Sequence, residues 1–240
     1  MTEPSHGVNQ MARRISSVVI FGATGMVGQG VLRECLRDAD IQRVITVGRS
    51  ATGHTHDKLV ERTVPDLRDL SALTHELASV DACFFCLGVS AAGMSEADYR
   101  RVTYDLTLSV AQTLVAANPA MVFVYVSGEG TDSTERGRQM WARVKGATEN
   151  AVHALPFAAV YAFRPGIIQP LDGITSRTTL YRVLYAVLGP LQPVFARLTP
   201  GYVTDTRRVG VAMLVAARGG SAEWIVDTKG INALAATAQQ

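Results

Sequence analysis

The sequence predicts an α/β fold, a doubly wound and mostly parallel sheet flanked by helices, with a small C-terminal substrate-side or lid portion. Three observations predict it. Runs of β-branched and aromatic residues alternate with segments whose apolar residues recur at helical spacing. Several of those runs are apolar throughout, as strands covered on both faces must be. The first run also ends in a glycine-rich loop that opens the first helix.

Residues 17–21 read as the first strand, and Met26 to Asp38 as a helix through Val27, Val31, Leu32, Cys35 and Leu36. Val44 to Val47 is the second strand, ending at Gly48-Arg49. Arg62 to Val64 is a short third strand, followed by a helix over Ser71 to Ser79. Ala82 to Leu87 is a wholly apolar fourth strand. Ser95 and Asp98 form a capping-box pattern that opens a long helix through Tyr99, Val102, Leu106, Val110 and Leu114, stopped by Asn118-Pro119. Met121 to Val126 is a fifth strand, and a helix through Trp141, Val144, Thr148 and Val152 leads to a sixth strand over Ala158 to Phe163. Beyond Arg164-Pro165-Gly166 the pattern loosens. Leu180 to Leu188 and Leu191 to Leu198 read as two short helices split by Gly189-Pro190. Thr204-Asp205 caps a helix running to Ala217, and Trp224 to Val226 is a last strand. Residues 1–14 are expected to be a loose tail. Residues 15–240 then form a single domain with a substrate-side insert at about 167–203.

Twenty-three basic residues against 21 acidic ones give no chain-wide electrostatic case for nucleic acid or an anionic membrane. With 48% apolar and only 18% charged residues, the chain has material for a core and is not a disordered tail. The uncharged stretch from Leu106 to Gly128 is long enough to test as a membrane span. It is interrupted by Gln112 and Asn118-Pro119, where its period changes, so it reads as a helix end followed by a strand. No secretory signal is legible, and a cytoplasmic location is expected. The three cysteines are at 35, 83 and 86. Cys83 and Cys86 lie in a strand-like run, where positions three apart face opposite sides, so they read as core thiols and not a redox or metal pair. His54 and His56, with Asp57, lie in a polar loop without further ligands, and His75 and His153 belong to no nucleophilic constellation. No metal site is expected.

The loop Gly22-Ala23-Thr24-Gly25-Met26-Val27-Gly28 carries three glycines at three-residue spacing, after a strand and before a helix. Such glycines permit a tight turn, close approach of backbone to a pyrophosphate, and close helix–strand packing, while the helix N-terminus offers amide donors to the phosphates. A dinucleotide-binding domain of Rossmann type is expected. The end of the second strand selects the cofactor. An acid there would bond the ribose 2′-hydroxyl of NAD, whereas Gly48-Arg49-Ser50 presents a cation, so NADP(H) is expected over NAD(H).

The glycine loop, Asp66-Leu67 after the third strand, Cys86-Leu87-Gly88 after the fourth, Ser127 after the fifth, Lys145 on the next helix and Arg164-Pro165-Gly166 after the sixth recur in this order in the short-chain dehydrogenases/reductases. The chain resembles their small atypical branch, labelled NAD-dependent epimerase/dehydratase, and within it the Tat-interacting oxidoreductase group. The resemblance spans roughly residues 16–235. It implies cofactor contacts from Gly22, Thr24, Gly25, Met26, Val27, Gly28, Arg49, Ser50, Asp66, Leu67, Leu87, Gly88, Lys145, Arg164, Pro165 and Gly166. It also implies that Ser127 polarises a substrate oxygen, and that Lys145 bonds the nicotinamide ribose and lowers the pKa of a tyrosine four residues earlier.

That tyrosine is absent. Trp141 stands in its place, and an indole N–H does not titrate in the useful range. The resemblance implies an oxidoreductase or epimerase acting on a small carbonyl or hydroxyl compound, its substrate unnamed by any motif. The departure at Trp141 leaves open a second reading, a catalytically silent NADP(H) redox sensor. Substitute acids within reach of the strand ends are Tyr104, Tyr125, Asp105 and Glu129. The 178–198 stripe reads as a cover over the substrate cleft, and a homodimer is compatible with the sequence.

Overall fold

The structure is a computed structural model and describes residues 13–174 and 201–238. The two short helices expected over 180–198, the first twelve residues and most of the 167–203 insert lie outside the described residues.

The strands β1 (Ser17–Phe21), β2 (Arg43–Gly48), β3 (Leu59–Thr63), β4 (Ala82–Phe85), β5 (Val122–Val126), β6 (Ala159–Arg164) and β9 (Ile225–Asp227) form one sheet. Its order is β3-β2-β1-β4-β5-β6-β9. Every pairing in it is parallel. The first six strands therefore follow the doubly wound dinucleotide-fold order, which reverses direction between β1 and β4 and opens a crevice at their carboxyl ends. β7 (Ile167–Gln169) and β8 (Val203–Asp205) make a separate parallel pair beyond the end of β6.

Helices cover both faces. One core layer joins Val18, Ile20, Phe84, Val124 and Phe163 to α1 (Met26–Arg37), α6 (Thr206–Ala217) and α7 (Thr228–Thr237). The opposite layer joins Val19, Phe21, Cys83, Phe85, Phe123 and Tyr125 to α2 (Thr74–Leu77), α4 (Leu106–Ala117) and α5 (Met140–His153). Alternation along β1 and β4 thus serves two cores, as continuous apolar strands predict. Cys83 belongs to one layer while Cys86 packs against the other, so the two thiols do face apart.

Three elements differ from the expectation in position or form, and three more were not expected. β3 lies earlier than Arg62–Val64 and includes Glu61 and Arg62. As an edge strand it tolerates polar residues, and Arg62 and Arg43 both reach Glu76 on α2. The expected helix over Ser71 to Ser79 is a 3-10 turn (Ser71–Leu73) followed by the short α2. The long helix from Ser95 is a continuous run of α3 (Glu96–Arg100), a π turn (Arg101–Asp105) and α4. Its capping residue is as read: the Ser95 hydroxyl accepts from the Asp98 amide. β7, β8 and α7 were not legible. Three-residue strands are too short to show a period, and α7 is capped by Asp227 at the end of β9.

Candidate active site at the carboxyl ends of β1, β4 and β5

A cavity of about 840 Å³ opens over the carboxyl ends of the central strands. Its floor is the glycine loop. Gly22 follows β1 with φ +82°, and a side chain there would meet the Cys86–Leu87 backbone at 2.8 Å. β1 and β4 therefore approach at the crevice as only glycine allows. Gly28 lies one helical turn into α1, and a Cβ on it would come 2.1 Å from the Gly22 carbonyl oxygen. It sets the packing of helix on loop. Gly25 is different: an added Cβ would sit 3.3 Å from the Gly22 carbonyl oxygen, close but free of backbone overlap. Gly25 is also the N-cap of α1, with no capping side chain and no acid in the first turn. The amides that open α1 face the cavity without a competing carboxylate, the arrangement that suits an anion.

Gly22, Thr24, Gly25, Met26, Val27, Leu87, Gly88, Pro165 and Gly166 all line this cavity, together with Arg49, Ser127, Trp141 and Lys145. A smaller hollow beside it is lined by Arg49, Ser50, Leu67 and Leu87. Arg49 borders both, at the exit of β2. Two expected residues lie elsewhere. Asp66 lines neither hollow and caps its own loop by accepting from the Arg68 amide. Arg164 lines neither because its guanidinium is used inside the protein, against Glu149 and the Ser133 hydroxyl.

Ser127 is placed where β5 ends, and its amide donates to the Phe163 carbonyl. The side chain is 8% exposed and its Oγ lies 3.0 Å from Thr131 Oγ1. Thr131 can donate to the Gly128 carbonyl, 2.8 Å away. The two hydroxyls hold one proton each, so the pair has two states. In one, Ser127 donates to Thr131 and presents lone pairs to the cavity. In the other, Thr131 donates to Ser127, whose proton then points to a ligand oxygen.

Lys145 enters from α5, one turn after Trp141. Burial brings its pKa down from the ordinary 10.5 to about 8, and the Glu149 carboxylate, one turn further along, holds back the fall. The Lys145 ammonium lies 5.6 Å from the centre of the Tyr125 ring. Trp141 packs across the loop after β5, its ring edge 3.3 Å from where a Cβ on Gly130 would stand.

Of the four substitute acids, only Glu129 lines the cavity. Tyr125 is buried in the opposite core layer with its phenol hydrogen-bonded to Thr148, and burial pushes its pKa far up. Tyr104 lies under the Arg100 guanidinium, 3.9 Å from ring centre to carbon, and Asp105 is exposed. The cavity holds instead a tyrosine that periodicity counted as one more apolar helix position, Tyr99 of α3. Its hydroxyl was the available signal, hidden because helical spacing records only that a residue is buried. Cys86 also lines the cavity, and burial keeps its thiol protonated.

Residues 18–138 match the family model described as "NAD dependent epimerase/dehydratase family". The chain belongs to that family. Among curated relatives of this epimerase/dehydratase member is "Protein fmp52, mitochondrial" of Emericella nidulans, 26% identical over 205 residues, which are 82% of this chain and 85% of the relative. "Protein HTATIP2" of Rattus norvegicus is 29% identical over 154 residues, 63% of this chain and 62% of the relative. Solved structures share the fold. "MoeE5 in complex with UDP-glucose and NAD" superposes with a TM-score of 0.64 at 18% identity, over 88% of this chain and 75% of that one. A short chain dehydrogenase from Burkholderia cenocepacia J2315 in complex with NADP gives 0.62 at 14% identity, over 95% and 93%. Among the described residues no helix is long and apolar enough to cross a membrane, and no cluster of His, Cys, Asp and Glu is suited to a metal.

Proposed function

We propose that this chain binds NADP(H) and uses it to reduce or oxidise a small carbonyl or hydroxyl compound. One observation carries the reading: Ser127 and Lys145 line the same cavity as the glycine loop, on the strand ends where a dinucleotide fold holds its ligand. The residues present fit a dinucleotide. The uncapped amides of α1 suit the pyrophosphate, Arg49 at the exit of β2 suits a 2′-phosphate, and Lys145 suits the nicotinamide ribose. The family membership and the NAD- and NADP-bound neighbours of like fold support the same assignment.

When bound, such a cofactor supplies or accepts hydride. The chain does the rest. Ser127, with Thr131 donating behind it, donates a hydrogen bond to the oxygen of the substrate and fixes that oxygen at the end of β5. Lys145 holds the ribose and places a positive charge beside the reaction centre. Trp141 walls the cavity and moves no proton. The cytoplasmic location, the single-domain organisation over 15–240 and the contact of Ser50 and Leu67 with the adenosine end belong to this proposal.

Trp141 also favours a second reading, in which the chain binds NADP(H) and reports its redox state without turnover. Consumption of NADPH against a panel of small aldehydes and ketones separates the two. Turnover that collapses in Ser127→Ala supports the enzyme. Tight NADPH binding with no turnover of any compound, and a redox-dependent change in a bound partner, supports the sensor.

A further inference from the structure

We infer that Tyr99 is the proton donor of this site, taking the chemical role that Trp141 vacates from a different helix. The inference rests on the dinucleotide-binding reading above and goes beyond it by naming the acid.

Among the described residues lining the cavity, the side chains that titrate are Arg49, Cys86, Tyr99, Glu129 and Lys145. Arg49 stands at the exit of β2, where the proposed reading places the 2′-phosphate. The Cys86 thiol is held protonated by its burial, and a buried thiol that keeps its proton is a poor donor. Glu129 stands exposed to solvent at the rim and is not enclosed with a substrate oxygen. Lys145 carries the charge that a phenolate needs beside it. Tyr99 remains, 2% exposed and on the cavity wall.

The scaffold holds Tyr99 there. Ser95 caps α3, and the Tyr99 amide closes the first turn on the Ser95 carbonyl. One turn before Tyr99, Glu96 is clamped to Arg143 of α5 at 2.6 Å, and Arg143 lies between Trp141 and Lys145 in sequence. The ion pair thus docks the face of α3 that carries Tyr99 onto the helix that carries Lys145. Directly after α3 the chain makes its π turn, a rare conformation that recurs at functional sites because it re-aims the residues flanking it. The cavity that Tyr99 lines also presents Arg49, Glu129 and Lys145, Glu96 and Arg143 pair one turn before it, and Tyr125 couples to it electrostatically from β5. Tyr99 lies close enough to Tyr125 to help push the Tyr125 pKa up.

In reduction, a dinucleotide held by the glycine loop and Lys145 would supply the hydride for the new C–H bond at the carbonyl carbon. The carbonyl π pair moves onto oxygen and takes the phenolic proton of Tyr99, so one O–H bond breaks as another forms. The phenolate left behind is balanced by the Lys145 ammonium until water returns the proton. Oxidation runs the same steps backwards.

The test uses full-length protein carrying Cζ-labelled tyrosine, with the Tyr99 resonance identified by its loss in Tyr99→Phe. Saturation with NADP+ should shift that resonance, and in the free protein it should also follow the titration of Lys145 near pH 8, an inflexion that Lys145→Met removes. A protein that binds NADP+ while the Tyr99 resonance neither shifts nor shows that inflexion overturns the assignment alone. So does a Tyr99→Phe variant that reduces a carbonyl compound at the wild-type rate. Failure of the wild type to bind NADP+ overturns the dinucleotide reading and this inference with it.

Discussion

The carboxylate of Glu149 receives the guanidinium of Arg164 along one edge, with Nε 3.0 Å from one carboxylate oxygen and 3.2 Å from the other. Glu149 is buried and lies one turn beyond Lys145 on α5, so the pair ties the end of β6 to the helix that bears the site lysine. A buried carboxylate engaged this way is fixed in direction, and Lys145 feels its charge. Arg164 thus orients the carboxylate that neighbours Lys145, while its own side chain lines neither hollow.

A pH dependence follows. With a pKa brought to about 8, Lys145 is an ammonium below that pH and loses its charge above it. NADPH affinity should fall as pH rises through about 8, and the inflexion should vanish in Lys145→Met. Glu149→Gln removes the neighbour that favours the ammonium, so the inflexion should move to lower pH. Folding stability carries the opposite sign. Between about 8 and the ordinary 10.5 the unfolded chain holds the proton that the folded one has released, so this group's contribution rises with pH in that window. Affinity measured by titration at several pH values, flat in the wild type, would contradict the placement of Lys145 at the ligand.

In the proposed function, the choice of cofactor is assigned to Arg49. It borders both hollows at the exit of β2, and the adjoining strand end carries Gly48 and Ser50 in place of an acid. Competitive titration should show NADPH preferred over NADH, and Arg49→Ala should remove most of that preference while leaving NADH affinity nearly unchanged. A charge-assisted bond of this kind is worth ~1.5–3 kcal/mol, about tenfold or more in affinity. Equal affinity in the wild type would refute the assignment.

The proton chemistry separates Trp141 from its neighbours. Trp141→Phe should alter turnover modestly, because the indole only walls the cavity. Ser127→Ala removes the group proposed to hold the substrate oxygen and should cost ~10²–10⁴-fold. Thr131→Val should cost less than Ser127→Ala, since it removes the second hydroxyl that feeds a proton to Ser127. Steady-state rates of the three variants decide this, and a collapse confined to Trp141→Phe would be the contrary outcome.

Much of this was legible in the chain. Strand β4 and helix α1 announce themselves because burial on two faces and on one stripe leaves different periods, and Gly22, Gly25 and Gly28 could be placed on the loop between strand and helix. Ser127 and Lys145 follow from their order along the chain, and both line the cavity. Arg164 was read as a ligand contact because sequence order shows that it follows β6 but not which way its side chain turns; a buried acid fifteen residues earlier, Glu149, claims it. Tyr99 was hidden for the complementary reason. A periodic pattern scores a tyrosine by its ring, and only the packing of α3 against α5, tied by Glu96 and Arg143, places Tyr99 on the cavity wall.

The most direct test of dinucleotide binding is the fluorescence titration of NADPH into wild type and Gly25→Val. Gly25 is the informative position because a side chain there intrudes on the cavity without overlapping backbone, whereas one on Gly28 would overlap the Gly22 carbonyl and damage the fold. The account predicts saturable binding to the wild type, and a folded Gly25→Val that has lost it. A folded Gly25→Val that binds NADPH as the wild type does, or a wild type that shows no saturable binding, would contradict it.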